Sequence, residues 1–325
     1  MAYESYAEFL DALEKAGELI RVSEPIATEL EITELADREM KKSNGGKALL
    51  IEQPTVNGEV SSIPVAINTM GSAKRMAMAL GAESVGAVAE ELGSLVQAKP
   101  PTGLRDAMAL LGQALGLRHA RPKKVKRGPC KEVIHRFDSP ASRTEPWPSA
   151  PDVDDPSTLT PNPSTLLNLP IMQCWPLDGG RFLTLPCVVT RDPDTGDRNL
   201  GMYRMQVYDD QSTGMHWQLQ KVAARHGRRY YETGERMPVA VFLGGDPVYP
   251  FCATAPMPDG LDEFLLAGYL RRKSVEMVQC ETCDLEVPAN ADIVIEGYID
   301  PTEPLRDEGP FGDHTGYYTL PEPYP

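Results

Sequence analysis

From about residue 128 onward the chain is written as a succession of short strand-like runs: CKEVIHRF, LLNLPIMQ, FLTLPCVVT, LGMYRMQVY, GMHWQLQ, MPVAVFLGG and DIVIEGYI. Many are parted by Gly, Pro, Asp or Asn, which interrupt pairing and turn the backbone. Seven or more strands of this length predict a barrel or a sandwich. One helical pattern falls between them, DGLDEFLLAGYLRR at about 260–273, with Leu261, Phe264, Leu265 and Leu270 on its buried side. The stretch 138–165, rich in Pro, Ser, Thr and Asp, has the length of a lid or a crossing connection.

The first 120 residues follow a different rhythm. Tyr6, Phe9, Leu10, Leu13 and Leu19 fall near a 3.6-residue period, and Gly17 marks a helix C-terminus. A second helix is expected over about 27–42, before the SNGG break. KALLIEQP and SSIPVAINTMG read as short buried strands, and helical patterns return in SAKRMAMALG, ESVGAVAEELGSLVQ and GLRDAMALLGQALG. Residues 1–120 therefore read as an N-terminal mixed α/β domain and 121–325 as a β-rich second domain, an α+β chain as a whole. The basic run RHARPKKVKR, 118–127, contains Pro122, which disfavours extension of the preceding helix, and reads as a solvated linker.

A net charge of −15 leaves no basic footprint for nucleic acid or an anionic membrane, so a small molecule is the default partner. MAYESYAEFLDALEKAG is acidic and repeatedly interrupted by charge, unlike a signal or transit peptide, and no run of about 18 apolar residues exists to span a bilayer. A cytoplasmic location is expected. Six scattered cysteines do not make a disulfide scaffold and read as buried thiols. Cys280 and Cys283 in CETC have redox or zinc spacing, but no second CxxC or HxxxH completes a four-ligand set. No P-loop, GxGxxG or GxSxG pattern is present.

Four stretches make chemical demands. EGPFGDHTGYY, 308–318, spaces Glu308 and Asp313 five apart around Gly309, Pro310 and Gly312, so only a turning backbone brings the two carboxylates together; the alternative is an acidic surface turn. In RNLGMYRMQVYDD, Leu200, Met202, Arg204 and Gln206 share one strand face, and an inward guanidinium needs an anionic partner, for which Glu308 and Asp313 are candidates. By parity Asn199 lies on the other face unless the backbone twists near Gly201. TGMHWQLQKVAARHGRRYY carries His216 and His226, each of which by itself reads as structural. In RRKSVEMVQCETCDLEVP, Glu276 interrupts an apolar run, either to face solvent or to meet a hard divalent cation.

RNLGMYRMQ, TGMHWQ, ATAPMPDG, SVEMVQC, DLEVPANADIVIEGYI and EGPFGDHTGYY, in this order, resemble the UbiD family of reversible (de)carboxylases that use prenylated flavin mononucleotide. The resemblance implies an FMN-binding split β-barrel after the N-terminal α/β domain. It also implies Arg204 as the active-site arginine, Glu308 as its ion-pair partner and Asp313 as the proton donor. Asn199 and Glu276 resemble ligands of a divalent metal, manganese or magnesium, with potassium nearby. Gln220 aligns where relatives carry a third ligand, commonly histidine; a neutral amide is a weaker ligand, and His226 is the alternative. Ala253, Thr254, Ala255 and Pro256 match a loop that lies against the cofactor, and Met202 a position lining the flavin.

Family chains continue into a C-terminal α/β domain with oligomer contacts, and this sequence stops at Pro325, so that domain is expected to be absent and the chain monomeric where its relatives are homo-oligomers. The implied function is non-oxidative decarboxylation of an aromatic or α,β-unsaturated acid, with a flavin prenyltransferase as cofactor supplier. A non-catalytic flavin-binding barrel and a zinc or redox protein built on CETC and the histidines are the other readings.

Overall fold

The computed structural model describes residues 2–96, 117–135 and 165–325. The helix expected in GLRDAMALLGQALG and nearly all of the 138–165 connection lie outside these residues.

The N-terminal part is built from α1 (Tyr6–Lys15), β1 (Leu19–Ala27), α2 (Glu31–Met40), β2 (Ala48–Val56), β3 (Glu59–Val60), β4 (Val65–Ile67), α3 (Ala73–Ala79) and α4 (Val85–Val96). Ser5 caps α1 by accepting the Glu8 N–H at 3.1 Å, and Phe9, Leu10 and Leu13 form its buried face. Gly17, at φ +71°, ends the helix, so Leu19, which fits the helical period, instead opens β1. β1 pairs in parallel with β2, which is flanked by β3 and β4. The second helix consequently begins at Glu31, later than the expected 27, because residues up to Ala27 are taken by the parallel ladder. Arg75 on α3 is fully buried and satisfied by the carbonyls of Gly45, Gly46 and Asn68 and by Glu18. A guanidinium with its donors engaged in this way is a structural hub.

The remainder contains β5 (Lys123–Lys124), β6 (Phe182–Leu183), β7 (Cys187–Arg191), β8 (Arg198–Met202), β9 (Met205–Val207), β10 (Thr213–Met215), α5 (Val222–Thr233), β11 (Met237–Leu243), α6 (Val248–Ala253), α7 (Glu263–Arg271), β12 (Glu276–Gln279), β13 (Glu286–Pro288), β14 (Ile293–Ile299), β15 (Arg306–Glu308), β16 (Phe311–Gly312), β17 (Tyr318–Thr319) and β18 (Glu322–Tyr324). The central sheet has the order β14-β11-β7-β8, all antiparallel. Its inner strands β7 and β11 are largely apolar on both faces, so the centre of the sheet is covered on both. Cys187, Val189, Ala240 and Phe242 pack against α6 and α7, while Val188, Val239 and Val241 pack against Met205, Trp217 and α5. Three-stranded sheets β10-β9-β6 and β13-β12-β5 and two hairpin-like pairs, β15-β18 and β16-β17, surround it. The architecture is α+β, and its ladders do not close into one barrel among the described residues.

Several expected elements change. CKEVIHRF is no strand over its described part: Pro129–Lys131 forms a 3₁₀ turn, pinned by the Cys130 N–H on the Ala289 carbonyl at 3.1 Å. LLNLPIMQ contributes a 3₁₀ turn at Leu166–Asn168 and isolated bridges, since Pro170 has no N–H for a ladder. LGMYRMQVY divides into β8 and β9, which belong to different sheets. After Met215 the chain forms α5, where Ala223, Ala224, His226, Gly227 and Tyr230 recur at helical spacing. The basic run is not wholly a linker either, because Lys123 and Lys124 form β5 beside β12 while their side chains stay exposed. Among the described residues no helix is long and apolar enough to cross a membrane.

The N-terminus is held to the second part by a buried ion pair. Arg271 Nε donates to Asp246 Oδ2 at 2.7 Å, with the two side chains 4% and 1% exposed, while the Tyr3 N–H donates to the same oxygen at 2.9 Å and the Tyr3 carbonyl accepts from Arg271 at 3.3 Å. Burial raises the Asp246 carboxyl above its ordinary value, against the pull of Arg271. Removing one partner of such a pair leaves a buried, uncompensated charge. Arg271→Met is therefore expected to lower the unfolding free energy by about 3–5 kcal/mol, read from urea denaturation; an unchanged midpoint would show that the pair does not carry this junction.

Candidate functional site

Glu308 ends β15 with its side chain fully buried. A carboxylate removed from water must be met by donors, and three converge on it. Arg204 Nε donates to Oε1 at 2.7 Å and Nη2 to Oε2 at 3.0 Å, a two-point pairing, and His216 Nδ1 donates to Oε2 at 3.1 Å. Burial pushes the Glu308 carboxyl up, but the His216 and Arg204 bonds and charges outweigh it and hold the group below its ordinary value. Arg204 also donates to Thr319 Oγ1 at 3.1 Å, and its guanidinium lies 4.3 Å from the centre of the Phe311 ring. The His216 ring lies 4.5 Å from the Tyr324 ring, tilted by 47°. The expected anionic partner of Arg204 is thus Glu308, and His216, read as structural from the sequence, is the third member.

The turn between the two acids is braced from the opposite side. Gly309, at φ +108°, donates its N–H to Gln206 Oε1 at 2.7 Å; Gln206 Nε2 donates to the Gly179 carbonyl at 2.9 Å, and the Gly179 N–H donates to the Pro310 carbonyl at 2.7 Å. Asp178 accepts the Gly312 N–H at 2.7 Å on one oxygen and the N–H groups of Trp175 and Cys174 at 2.9 and 3.1 Å on the other. A Cβ at position 312 would stand 2.2 Å from Trp175 Cδ1, so glycine is required there. Asp313, one residue on, has partners of its own. Its carboxylate accepts from His314 Nδ1 at 3.1 Å and from the Thr315 N–H at 3.4 Å, with 23% of the side chain exposed. Burial pushes this carboxyl up, yet the Thr315 and His314 contacts leave it lowered. Of the two acids, Glu308 is hydrogen-bonded to Arg204, and Asp313 is hydrogen-bonded to His314 and Thr315.

Asn199 is buried on β8, opposite Thr190, and its amide nitrogen donates to the Tyr203 hydroxyl at 3.4 Å. The same hydroxyl accepts the Ala223 N–H at 3.2 Å, at the start of α5. Tyr203 folds back onto Gly201, where a Cβ would lie 2.3 Å from the Tyr203 hydroxyl oxygen. The bend that relates Asn199 to Arg204 thus falls at residues 203–204, just past Gly201, where β8 passes into β9. His226 on α5 lies 3.0 Å from Thr190 Oγ1, and burial holds its imidazole below the ordinary value despite Asp192.

Gln220 is exposed and donates to Gln218 at 3.2 Å. Glu276 is exposed at the start of β12, in another sheet. None of Asn199, Gln220 and Glu276 is hydrogen-bonded to another among the described residues. Ala253 is the last residue of α6 and is buried; Thr254 and Pro256 are exposed and Ala255 half-buried. Met202 packs at the margin of the α6–α7 core.

The sequence reading passed over Glu263, in the first turn of α7. It is 7% exposed, and its Oε2 accepts the Leu200 N–H at 2.7 Å, covering the open edge of β8 next to Asn199. Burial pushes its carboxyl up to about 7, against backbone hydrogen bonds that lower it. The nearby Arg198 guanidinium is occupied by Asp262 and Glu286. The acid precedes Phe264 in an amphipathic helix, where a first-turn glutamate looks like an ordinary helix starter. A separate cavity of about 730 Å³ lies where Pro25, Ile26, Leu30 and Leu35 face Cys174 and Trp175, with neither Arg204 nor Glu308 among its lining residues.

Comparison with known proteins places these features in context. The family model described as the 3-octaprenyl-4-hydroxybenzoate carboxy-lyase Rift-related domain matches residues 150–325, and that of the N-terminal domain of the same carboxy-lyase matches 10–95. An uncharacterized protein of Archaeoglobus fulgidus is 44% identical over 326 residues, covering 100% of this chain and 60% of its own length. Among solved structures, an evolved dimeric form of HmfF from Pelotomaculum thermopropionicum in complex with prFMN superposes with a TM-score of 0.77 at 27% identity, over 99% of this chain and 63% of that one. The closed form of vanillic acid decarboxylase from Sedimentibacter hydroxybenzoicus gives 0.76 at 25% identity, over 100% of this chain and 60% of that one. The chain therefore spans about 60% of the length of the relatives it matches.

The raised carboxyl of Glu263 fixes a direction for pH dependence. Its folded value of about 7 lies above the ordinary 4.5, so the native state binds the proton more tightly than the unfolded chain does. This contribution to stability is fully present below about pH 4.5 and is lost as pH rises through about 7. Glu263→Gln, which keeps an acceptor for Leu200, is expected to remove that decline, on the order of 3 kcal/mol, in urea denaturation across this range.

Proposed function

The chain belongs to the UbiD family of carboxy-lyases, and on that footing we propose that it acts in the reversible, non-oxidative decarboxylation of an aromatic or α,β-unsaturated carboxylic acid with prenylated FMN. The observation that carries this reading is the buried pairing of Arg204 with Glu308, locked by His216, at the foot of the turn that presents Asp313. The complex of HmfF with prFMN and the decarboxylase of vanillic acid supply the cofactor and the substrate class. In this reading residues 121–325 are the split barrel that cradles the flavin, and 1–120 the N-terminal domain that flanks it.

Prenylated FMN, when bound, supplies the electron sink for the charge left on the carbon that loses carbon dioxide. The protein's own part is placement, electrostatics and a proton. Arg204 spends Nε and Nη2 on Glu308 and Thr319, and Nη1 carries no hydrogen bond among the described residues. That free donor is the one to orient a substrate carboxylate. Glu308 and Phe311 keep the guanidinium in one orientation while it does so. Asp313 is the proton donor. Without substrate it is held in the ionised form, and a substrate ring covering its exposed edge would strip away water and raise its affinity for a proton.

A hard divalent cation, manganese or magnesium, also fits residues present. The buried Glu263 carboxylate, pushed up by its burial, and Asn199 on the adjoining strand are the oxygen donors such an ion takes. Glu263 suits the role better than the exposed Glu276, and Gln220 would have to turn inward to join them. Ala253–Pro256, with small side chains at the end of α6, would let a planar ring approach closely.

Co-expression with a flavin prenyltransferase, followed by absorbance and mass analysis of the bound cofactor and by carbon dioxide release from aryl and acrylic acids, tests the proposal. The wild-type chain should retain prenylated FMN and release carbon dioxide. Glu308→Gln and Asp313→Asn should each lower kcat on the order of 10²–10⁴-fold with the cofactor still bound. Cofactor without turnover would leave a flavin-binding module, and turnover unchanged by both variants would remove the assigned acids.

A further inference from the structure

The CETC motif has no part in the decarboxylation chemistry, yet its surroundings are built with care for position. Cys280 and Cys283 flank the turn that joins β12 to β13, and all six cysteines of the chain are free. The turn is held from two sides. Gln279 Nε2 donates to the carbonyls of Cys283 and Leu285, both at 3.1 Å. Glu296, on β14 of the neighbouring sheet, accepts the N–H groups of Glu281 and Thr282 at 2.8 and 2.6 Å and the Thr282 hydroxyl at 2.7 Å. These bonds hold the Glu296 carboxylate at the turn that carries the two sulfurs. Both Sγ atoms and a Glu296 oxygen lie within 4.8 Å of one another.

Two chemistries suit a CxxC pair, and the third group discriminates between them. A redox-active thiolate is favoured by positive surroundings, whereas here a carboxylate faces both sulfurs. The Lys131 ammonium near this turn is engaged by Glu281 at 2.6 Å. Three groups that are anionic when deprotonated call for a cation, and two sulfurs with one oxygen suit a borderline-soft one.

We propose that Cys280, Cys283 and Glu296 form a zinc site that fastens the β12–β13 hairpin to β14, with water in the fourth tetrahedral position. Zinc–sulfur bonds of about 2.3 Å and a zinc–oxygen bond of about 2.1 Å put donors roughly 3.5–3.8 Å apart in a tetrahedron. The observed grouping therefore needs to contract by about 1.3 Å at most. Binding breaks the two S–H bonds, forms two Zn–S bonds and releases two protons to solvent, while the carboxylate enters already ionised.

The test uses the full chain, stripped by a chelator under reducing conditions and titrated with Zn²⁺ by calorimetry and with Co²⁺ by absorption. One zinc per chain is expected, with a heat that depends on the buffer because protons are released. Cobalt should give thiolate charge-transfer and tetrahedral visible bands. Cys280→Ser and Cys283→Ser should abolish binding, and Glu296→Gln, which keeps an acceptor for the Glu281 and Thr282 N–H groups, should weaken it at least about tenfold. Cys174→Ser should change nothing. Failure to bind zinc, zinc binding unchanged by Cys283→Ser, or a Cys280–Cys283 disulfide whose reduced form takes no zinc would overturn the proposal. Should a variant unfold, the wild-type cobalt spectrum and proton count decide the matter.

Discussion

A carboxylate with no access to water organises this protein. An isolated ionised Glu308 would cost several kcal/mol to bury, so its surroundings must deliver donors to both oxygens. They come from Arg204, between β8 and β9, and from His216, just past β10, which lie 104 and 92 residues from Glu308 in the chain. Three segments are thereby tied to one point. Each has its own support: Phe311 beneath the guanidinium, Tyr324 beneath the imidazole, and the chain of bonds through Gln206, Gly179 and Asp178 behind the turn. Loosening any of these would move the arginine donor that remains free.

The same principle recurs wherever charge is buried. Arg75 is satisfied by backbone carbonyls and Glu18, Asp246 by Arg271 and the N–H groups of Tyr3 and Val248, and Glu263 by the edge of β8. Arg75 and Asp246 are paired with opposite charge, and their role is to join elements. Glu263 is met by the Leu200 N–H, and burial raises its carboxyl to about 7, as burial also raises that of Asp246.

Much of the plan is legible in the sequence. The turn chemistry of EGPFGD, the need of Arg204 for an anion and the strand-rich second half all follow from residue types and spacing. The errors have identifiable causes. Leu19 fits a helical period, but Gly17 ends the helix first, so a strand was missed. α5 was hidden because its apolar positions are alanine, glycine and tyrosine, which give a weak pattern beside its arginines. Asp313, just past β16, takes its hydrogen bonds from the neighbouring His314 and Thr315, partners that its spacing from Glu308 does not reveal.

By itself the sequence determined an α+β chain of this family, a bend with two acids, an arginine in want of a partner and a pair of cysteines at turn spacing. The resemblance of its motifs already named Glu308 as the partner of Arg204, and that pair is formed; only the tertiary structure decided that His216 joins them, that Glu263 stands beside Asn199, and that Glu296 faces the two sulfurs. The reason is physical: local pattern reports which backbone shapes a segment can adopt, whereas the fate of a charged side chain depends on donors supplied by segments far away in the chain. Those donors are known only once the sheets have packed.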